Sequence, residues 1–81
     1  MENMKKQVID LLCDKLGCDE GFINEETQIV NDLGADSLDM VEIIIDMERK
    51  FEITLSDEDF NEIVTVGDLI KKIEDKLKEN K

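Results

Sequence analysis

Residues 37–51 have the sequence SLDMVEIIIDMERKF, whose apolar side chains fall on two sides of a helix. At about 100° per residue, one apolar cluster lies within roughly 100° of arc, enough for a core-facing stripe. It consists of Met40, Ile43, Ile44, Met47 and Phe51. The second cluster, centred about 135° away, consists of Leu38, Val41 and Ile45. Because one helix of a small bundle cannot readily bury both, the sequence predicts a buried stripe and an exposed apolar patch.

Acidic residues surround the predicted exposed patch. Glu42 and Glu48 border it, and Asp39 and Asp46 lie farther round the polar face. Five acids and no base occur between Asp36 and Glu48. Like charges concentrated beside apolar surface cost stability, so a binding role would explain their position. This pattern favours a docking surface with an acidic rim over the alternative, a helix buried on most of its surface.

Two further helices are predicted near the ends of the chain. The first runs from Met4 to Leu16, and Gly17 then supplies a stop signal. The last runs from Val66 to Leu77 and is opened by a capping pair, Thr65 and Asp68. Both segments carry apolar residues at helical spacing, which predicts that each packs one face against the core.

A fourth, shorter helix is predicted from a second capping pair, Ser56 and Asp59, and holds Phe60 and Ile63. No alternating strand pattern and no repeat interrupts these segments. The predicted fold is therefore all-α. It is a four-helix bundle with three longer helices, one short helix and a long first loop, forming a single domain over residues 1–81.

The connection between the first two helices, residues 18–36, is long for so small a domain. Five apolar residues are expected to pin it to the core: Phe22, Ile23, Ile29, Val30 and Leu33. Near its end, Gly34 permits an unusual backbone angle just before Asp36 and Ser37.

Composition excludes several classes of function. The 81 residues carry 22 acidic and 10 basic side chains, a net charge of −12, so no basic footprint exists for nucleic acid. The chain has no histidine, which excludes Ser–His and Cys–His nucleophile activation within it. Its first residues lack the apolar stretch of a signal peptide, and no run approaches a membrane span. A cytoplasmic location is expected.

Two cysteines, Cys13 and Cys18, are too far apart in sequence for a CxxC redox pair. Cys13 borders the core face of the first helix, and Cys18 follows the glycine that ends it. Both are predicted to pack as small, buried, reduced hydrophobic residues.

A serine begins the central helix, where such residues usually serve as caps. Asp36 can cap the helix itself, with Asp39 three residues on, which leaves the Ser37 hydroxyl free to face solvent. A phosphate ester on Ser37 would lie at the positive end of the helix dipole. Because no base is near in sequence, another enzyme would have to attach that group.

At these residues the chain resembles the acyl carrier proteins. The segment Asp32-Leu33-Gly34-Ala35-Asp36-Ser37-Leu38-Asp39, followed by Val41-Glu42, is similar to their phosphopantetheine attachment motif. Further matches at the family's spacing cover nearly the whole chain: Leu16-Gly17, Phe51-Glu52-Ile53 and Thr65-Val66-Gly67-Asp68.

The resemblance implies a carrier and not an enzyme. Ser37 would receive 4′-phosphopantetheine from coenzyme A through a phosphopantetheinyl transferase, and the arm's thiol would carry acyl groups between enzymes of fatty acid synthesis. The residues expected to dock basic partner enzymes are Asp36, Leu38, Asp39, Val41, Glu42, Ile45 and Glu48. The residues expected to shelter the acyl chain are Ile29, Val30, Met47, Phe60 and Ile63. Ordinary core packing is the alternative for the same residues and is compatible with that role. A monomer suits such a shuttle.

Several other functions are compatible with parts of this sequence. Polyketide, peptidyl and D-alanyl carriers share the resemblance, although the acidic central helix favours the fatty acid type. A docking or divalent-binding module without covalent cargo is the alternative from a different class. Residues 31–42 fail as a calcium loop, because Leu33 and Ala35 occupy ligand positions and Asp36 replaces the glycine. Arg49 and Lys50 interrupt the acidic run that many relatives continue.

Overall fold

The computed structural model describes residues 4–79, in which four α-helices occur. They are α1 (Met4–Leu16), α2 (Ser37–Phe51), α3 (Asp57–Glu62) and α4 (Val66–Glu79). A single turn of 3₁₀ helix, Glu20–Phe22, lies in the long loop between α1 and α2. This arrangement confirms the predicted all-α fold with three longer helices and one short one. The bounds of α1 and α2 are as predicted, whereas α4 extends past Leu77 and Ile63 lies one residue beyond α3.

One hydrophobic core joins α1, α2 and α4 with the long loop. Its large, fully buried side chains are Val8, Leu12, Ile29, Ile43, Met47, Val66, Leu69 and Ile73. Burying a side chain of this size stabilises the fold by about 1.5–3 kcal/mol relative to leaving it in water. Because the chain is short and has no disulfide among its described residues, this burial is the main source of its stability.

The last two helices begin with reciprocal capping bonds. At α3 the N–H of Asp59 donates to Ser56 Oγ at 3.2 Å, and the N–H of Ser56 donates to Asp59 Oδ2 at 3.0 Å. At α4 the N–H of Asp68 donates to Thr65 Oγ1 at 3.1 Å, and that of Thr65 donates to Asp68 Oδ2 at 3.0 Å. Each pair satisfies two backbone donors that have no partner within the helix. Both predicted caps are confirmed.

The long loop is fastened to the segment that joins α3 to α4. The N–H of Ile29 donates to Val64 O at 3.0 Å, and the N–H of Val66 donates to Thr27 O at 2.9 Å. Next to them, the N–H of Gly67 donates to Glu25 O, and a Cβ at Gly67 would lie only 2.9 Å from that oxygen. Only glycine allows the two segments to approach this closely.

Two of the five predicted anchors of this loop are wrong. Ile23 and Ile29 are buried and Leu33 is partly buried, as predicted, but Phe22 is 81% exposed and Val30 is 49% exposed. Phe22 ends the surface 3₁₀ turn, which turns its ring toward solvent. Because Ile29 takes the inward position of the next turn, its neighbour Val30 is left on the outer side.

Candidate functional site

Ser37 is the first residue of α2, and the two acids beside it form a complete capping box. The N–H of Asp39 donates to Asp36 Oδ1 at 2.8 Å, and the N–H of Asp36 donates to Asp39 Oδ2 at 3.2 Å. The carbonyl of Asp36 also accepts the N–H of Met40 at 2.9 Å. Asp36 therefore caps the helix, and the side chain of Ser37 is exposed, as the sequence predicted.

The residues before Asp36 hold this helix start against the core. Gly34 has φ +75°, a left-handed angle that residues with a Cβ rarely adopt. The turn that it completes buries the small Ala35, which is 2% exposed and whose N–H donates to Ile29 O at 3.3 Å. Ser37 is therefore presented on a rigid element, two residues from a buried anchor.

The two apolar clusters of α2 are separated as predicted. Met40, Ile43, Ile44 and Met47 are buried, and Phe51 is partly buried. On the other side Leu38 is 65% exposed, Val41 45% and Ile45 40%. We call this exposed side, together with its acidic border, the docking face. Three apolar side chains left in water on the helix that begins at Ser37 form a small surface suited to transient contact.

The acidic side chains of the docking face have different surroundings. Asp36 and Asp39 accept the backbone bonds of the capping box, and Glu42 forms an ion pair with Lys15 of α1 at 3.6 Å. Glu48 is partly buried and accepts a 2.7 Å hydrogen bond from the N–H of Leu55. Sequence reasoning missed Lys15, since nothing along the chain indicates which residue of α1 faces α2.

Most of the residues expected to line an acyl pocket belong to the core. Ile29, Met47 and Ile63 are buried, and Phe60 is partly buried at the edge of the same cluster. Val30 is 49% exposed and lies outside this cluster, so it does not share the burial of the other four. Its outward direction follows from the inward position of Ile29.

The two cysteines are partly buried and in contact. Cys13 Sγ and Cys18 Sγ are 3.8 Å apart, and both thiols are free. Burial, followed by the neighbouring Cys18 thiol, raises the pKa of Cys13 to about 11. Their partial burial agrees with packing as small hydrophobic residues, but the sequence did not predict their contact, which depends on the turn at Gly17.

Metal sites and membrane-spanning helices are both absent from residues 4–79. No group of three or more Cys, Asp and Glu side chains in that range could hold a metal ion. No helix in the same range combines the length and the apolar character that crossing a membrane requires.

Comparison with known proteins agrees with this geometry. Residues 6–73 match the family described as Phosphopantetheine attachment site. The acyl carrier protein of Thermotoga maritima is 42% identical over 76 residues, which cover 94% of each chain. That of Porphyromonas gingivalis is 45% identical over 78 residues, covering 96% of this chain and all of the relative.

A solved structure shows the same fold. The crystal structure of the Thermotoga maritima acyl carrier protein superposes with a TM-score of 0.81 at 28% sequence identity, covering 96% of this chain and 95% of that one. Fold, family match and identity over most of the chain all agree. The chain therefore belongs to the acyl carrier protein family: it is a carrier of acyl groups, not an enzyme, and its cofactor is 4′-phosphopantetheine.

Proposed function

We propose that Ser37 bears the 4′-phosphopantetheine arm and that the chain carries growing acyl chains of fatty acid biosynthesis on it. One observation supports this above all. Because the capping box of Asp36 and Asp39 satisfies the start of α2, the hydroxyl of Ser37 is exposed and not needed by the fold.

The surroundings of Ser37 suit a phosphodiester. The helical pattern leaves the amides of Ser37 and Leu38 without an acceptor inside α2, and the helix dipole adds positive potential there. The carboxylates of Asp36 and Asp39 are engaged as acceptors of backbone N–H groups, so we assign neither as the base for Ser37. The attaching enzyme therefore supplies the base that takes the hydroxyl proton. Once attached, the arm provides a terminal thiol that forms thioesters with acyl groups.

The docking face is proposed to meet basic patches on the transferase and on the enzymes of fatty acid synthesis. Its apolar members, Leu38, Val41 and Ile45, lie on the same helix as Ser37, so a partner that covers them also reaches the arm. Its acidic members are Asp36, Asp39, Glu42 and Glu48. A net charge of −12 adds long-range attraction to basic partners, which speeds encounter.

The acyl chain is proposed to shelter among the core residues nearest the loop. Ile29, Met47 and Ile63 share one apolar cluster, and Phe60 packs against its edge. A side chain at the edge of a core can swing outward with fewer lost contacts than a fully buried one. Phe60 is therefore the proposed entrance, and Val30 is omitted because it faces solvent.

The chain is also proposed to act as a single domain, a monomer and a cytoplasmic protein. All the long helices contribute to one core, which supports the single domain. A monomer keeps every part of the docking face available to successive partners.

Intact mass spectrometry tests the attachment. The purified protein is incubated with coenzyme A, Mg²⁺ and a broad-specificity phosphopantetheinyl transferase, beside a Ser37→Ala control. A gain of one phosphopantetheine group on the parent and none on the control is expected. No gain on a folded parent would refute the proposal and leave an acidic docking module without covalent cargo.

A further inference from the structure

Lys15, near the end of α1, lies against Glu42, an acidic member of the docking face, and against Asp46, which lies beside that face on α2. Its Nζ is 2.8 Å from Asp46 Oδ2 and 3.6 Å from Glu42 Oε1. These carboxylates are one helical turn apart on α2, so a single ammonium group reaches both. A hydrogen bond to Asp46 raises the pKa of Lys15 above its ordinary value, which already leaves a lysine charged at neutral pH.

The ion pairs of Lys15 are accessible to a partner. The side chain of Glu42 is 47% exposed, that of Asp46 32% and that of Lys15 28%. Water and salt compete with ion pairs this exposed, so they break and re-form readily. A basic side chain of a docking enzyme can therefore replace Lys15, but only after the internal pairs are broken.

The two ends of the docking face consequently differ. Near Ser37, Asp36 and Asp39 accept hydrogen bonds from backbone amides, which carry no net charge and therefore do not act as counter-ions. One to two turns further along α2, Glu42 and Asp46 are neutralised in part by a lysine of the same chain. The attraction felt by a basic partner is thereby concentrated close to the attachment residue.

We propose that Lys15 is an intramolecular competitor that weakens the docking of basic partner enzymes at Glu42 and Asp46. The inference rests on the proposed function, in which such enzymes visit the docking face. Weaker docking at Glu42 and Asp46 shortens the lifetime of each complex, because affinity differences at one interface lie mostly in the dissociation rate. Fast release suits a carrier that passes from one enzyme to the next.

A matched pair of variants tests the competitor. Lys15→Gln is compared with Lys6→Gln, since Lys6 also lies on α1 but pairs with Asp10 at 3.0 Å. Both variants change the net charge equally, whereas only the first uncovers Glu42 and Asp46. Binding to the phosphopantetheinyl transferase is measured without coenzyme A. Lys15→Gln should bind about two- to fivefold more tightly than Lys6→Gln at low salt, the range expected for removing exposed ion pairs.

High salt should close the gap between the two variants, because screening removes the competition. Lys15→Arg, which restores the cation, should bind as the parent does. Melting curves verify that every variant is folded. Equal binding by Lys15→Gln and Lys6→Gln, or weaker binding by Lys15→Gln, would overturn the inference even if Ser37 is modified.

A tetralysine peptide separates this inference from the proposed function. NMR shifts of Glu42 and Asp46 report its binding to the same variants, with no transferase present. If the parent is never modified at Ser37, the proposed function fails, and the peptide then decides the role of Lys15 alone. Tighter peptide binding by Lys15→Gln than by Lys6→Gln supports the competitor, and equal binding refutes it.

Discussion

Glu48 Oε2 accepts a 2.7 Å hydrogen bond from the backbone N–H of Leu55, seven residues further along the chain. The same residue accepts a second bond at its carbonyl, from the N–H of Ile53 at 3.1 Å. Between them Glu52 adopts a left-handed φ of 56°, which reverses the chain after α2. Glu48 therefore holds the turn that leads to α3, in addition to its proposed place at the border of the docking face.

Replacing Glu48 should lower the stability of the fold more than it weakens the binding of partners. Glu48→Ala leaves the N–H of Leu55 without its acceptor, which we expect to lower the free energy of unfolding by about 1–3 kcal/mol. Glu48→Gln retains a carbonyl acceptor and should recover part of that loss. Urea unfolding measures both, with Glu74→Ala on the exposed side of α4 as the control. An unfolding midpoint for Glu48→Ala equal to that of the control would show that the bond is not structural.

Variants of Asp36 should separate the contribution of its cap to stability from the effect of its negative charge on modification of Ser37. Asn is as good a cap as Asp, so Asp36→Asn should keep the stability of the parent, whereas Asp36→Ala should lose about 1 kcal/mol. Both remove the charge beside Ser37 and should slow modification by the transferase to a similar extent. Thermal melting and initial modification rates give the two readouts. If Asp36→Asn were modified at the rate of the parent, the charge of Asp36 would not contribute to binding of the transferase.

The two apolar sides of α2 should respond differently to the same truncation. Ile43 is fully buried, and Ile43→Ala should cost about 2–5 kcal/mol. Ile45 is 40% exposed, so Ile45→Ala should cost less than about 1 kcal/mol. Only Ile45→Ala is expected to weaken binding to the transferase when the two variants are compared at the same concentration of folded protein. Unchanged binding by Ile45→Ala would remove Ile45 from the docking face.

Acid should destabilise the protein partly through Asp59. This residue accepts the backbone N–H of Ser56, the largest cause of its lowered pKa, and it pairs with Lys72 at 3.3 Å and Lys76 at 3.1 Å. Because the folded-state pKa is depressed, its stabilisation is complete above the ordinary Asp value of about 4 and declines as pH falls below it. Unfolding free energies at pH 7 and pH 3 measure this loss.

The control for that measurement lies two residues earlier. Asp59→Asn should be less stable than the parent at pH 7 but lose less further stability between pH 7 and pH 3. Asp57→Asn, on the exposed side of α3, should keep the acid sensitivity of the parent. An acid response of Asp59→Asn identical to that of the parent would contradict the assignment.

The cysteines should be dispensable for carrier function. Cys13 lies in α1 and Cys18 in the loop after it, whereas Ser37 and the docking face lie on α2. The double variant Cys13→Ala/Cys18→Ala should therefore accept phosphopantetheine at the rate of the parent. In Cys18→Ala, burial, the largest cause of the raised pKa of Cys13, remains, so alkylation of Cys13 at pH 8 should still be slower than for the unfolded chain. Loss of modification in the double variant would show that the thiols matter.

Local patterns in the sequence determined much of this protein. The capping pairs, the stop at Gly17 and the two-sided helix from Ser37 to Phe51 were all predicted at the right residues. Each depends on residues three to seven positions apart, whose relative placement the helical geometry alone dictates. The exposure of Ser37 followed in the same way, because Asp36 and Asp39 are its immediate neighbours.

Tertiary structure decided the rest. The ion pairs of Lys15 with Glu42 depend on how α1 packs against α2, and the outward direction of Val30 depends on which loop residue the core admits. The bond from Leu55 to Glu48 needs the chain reversal after α2. Such contacts join residues that do not lie on the same helix. They exist only because burial of one shared core brings separate segments together.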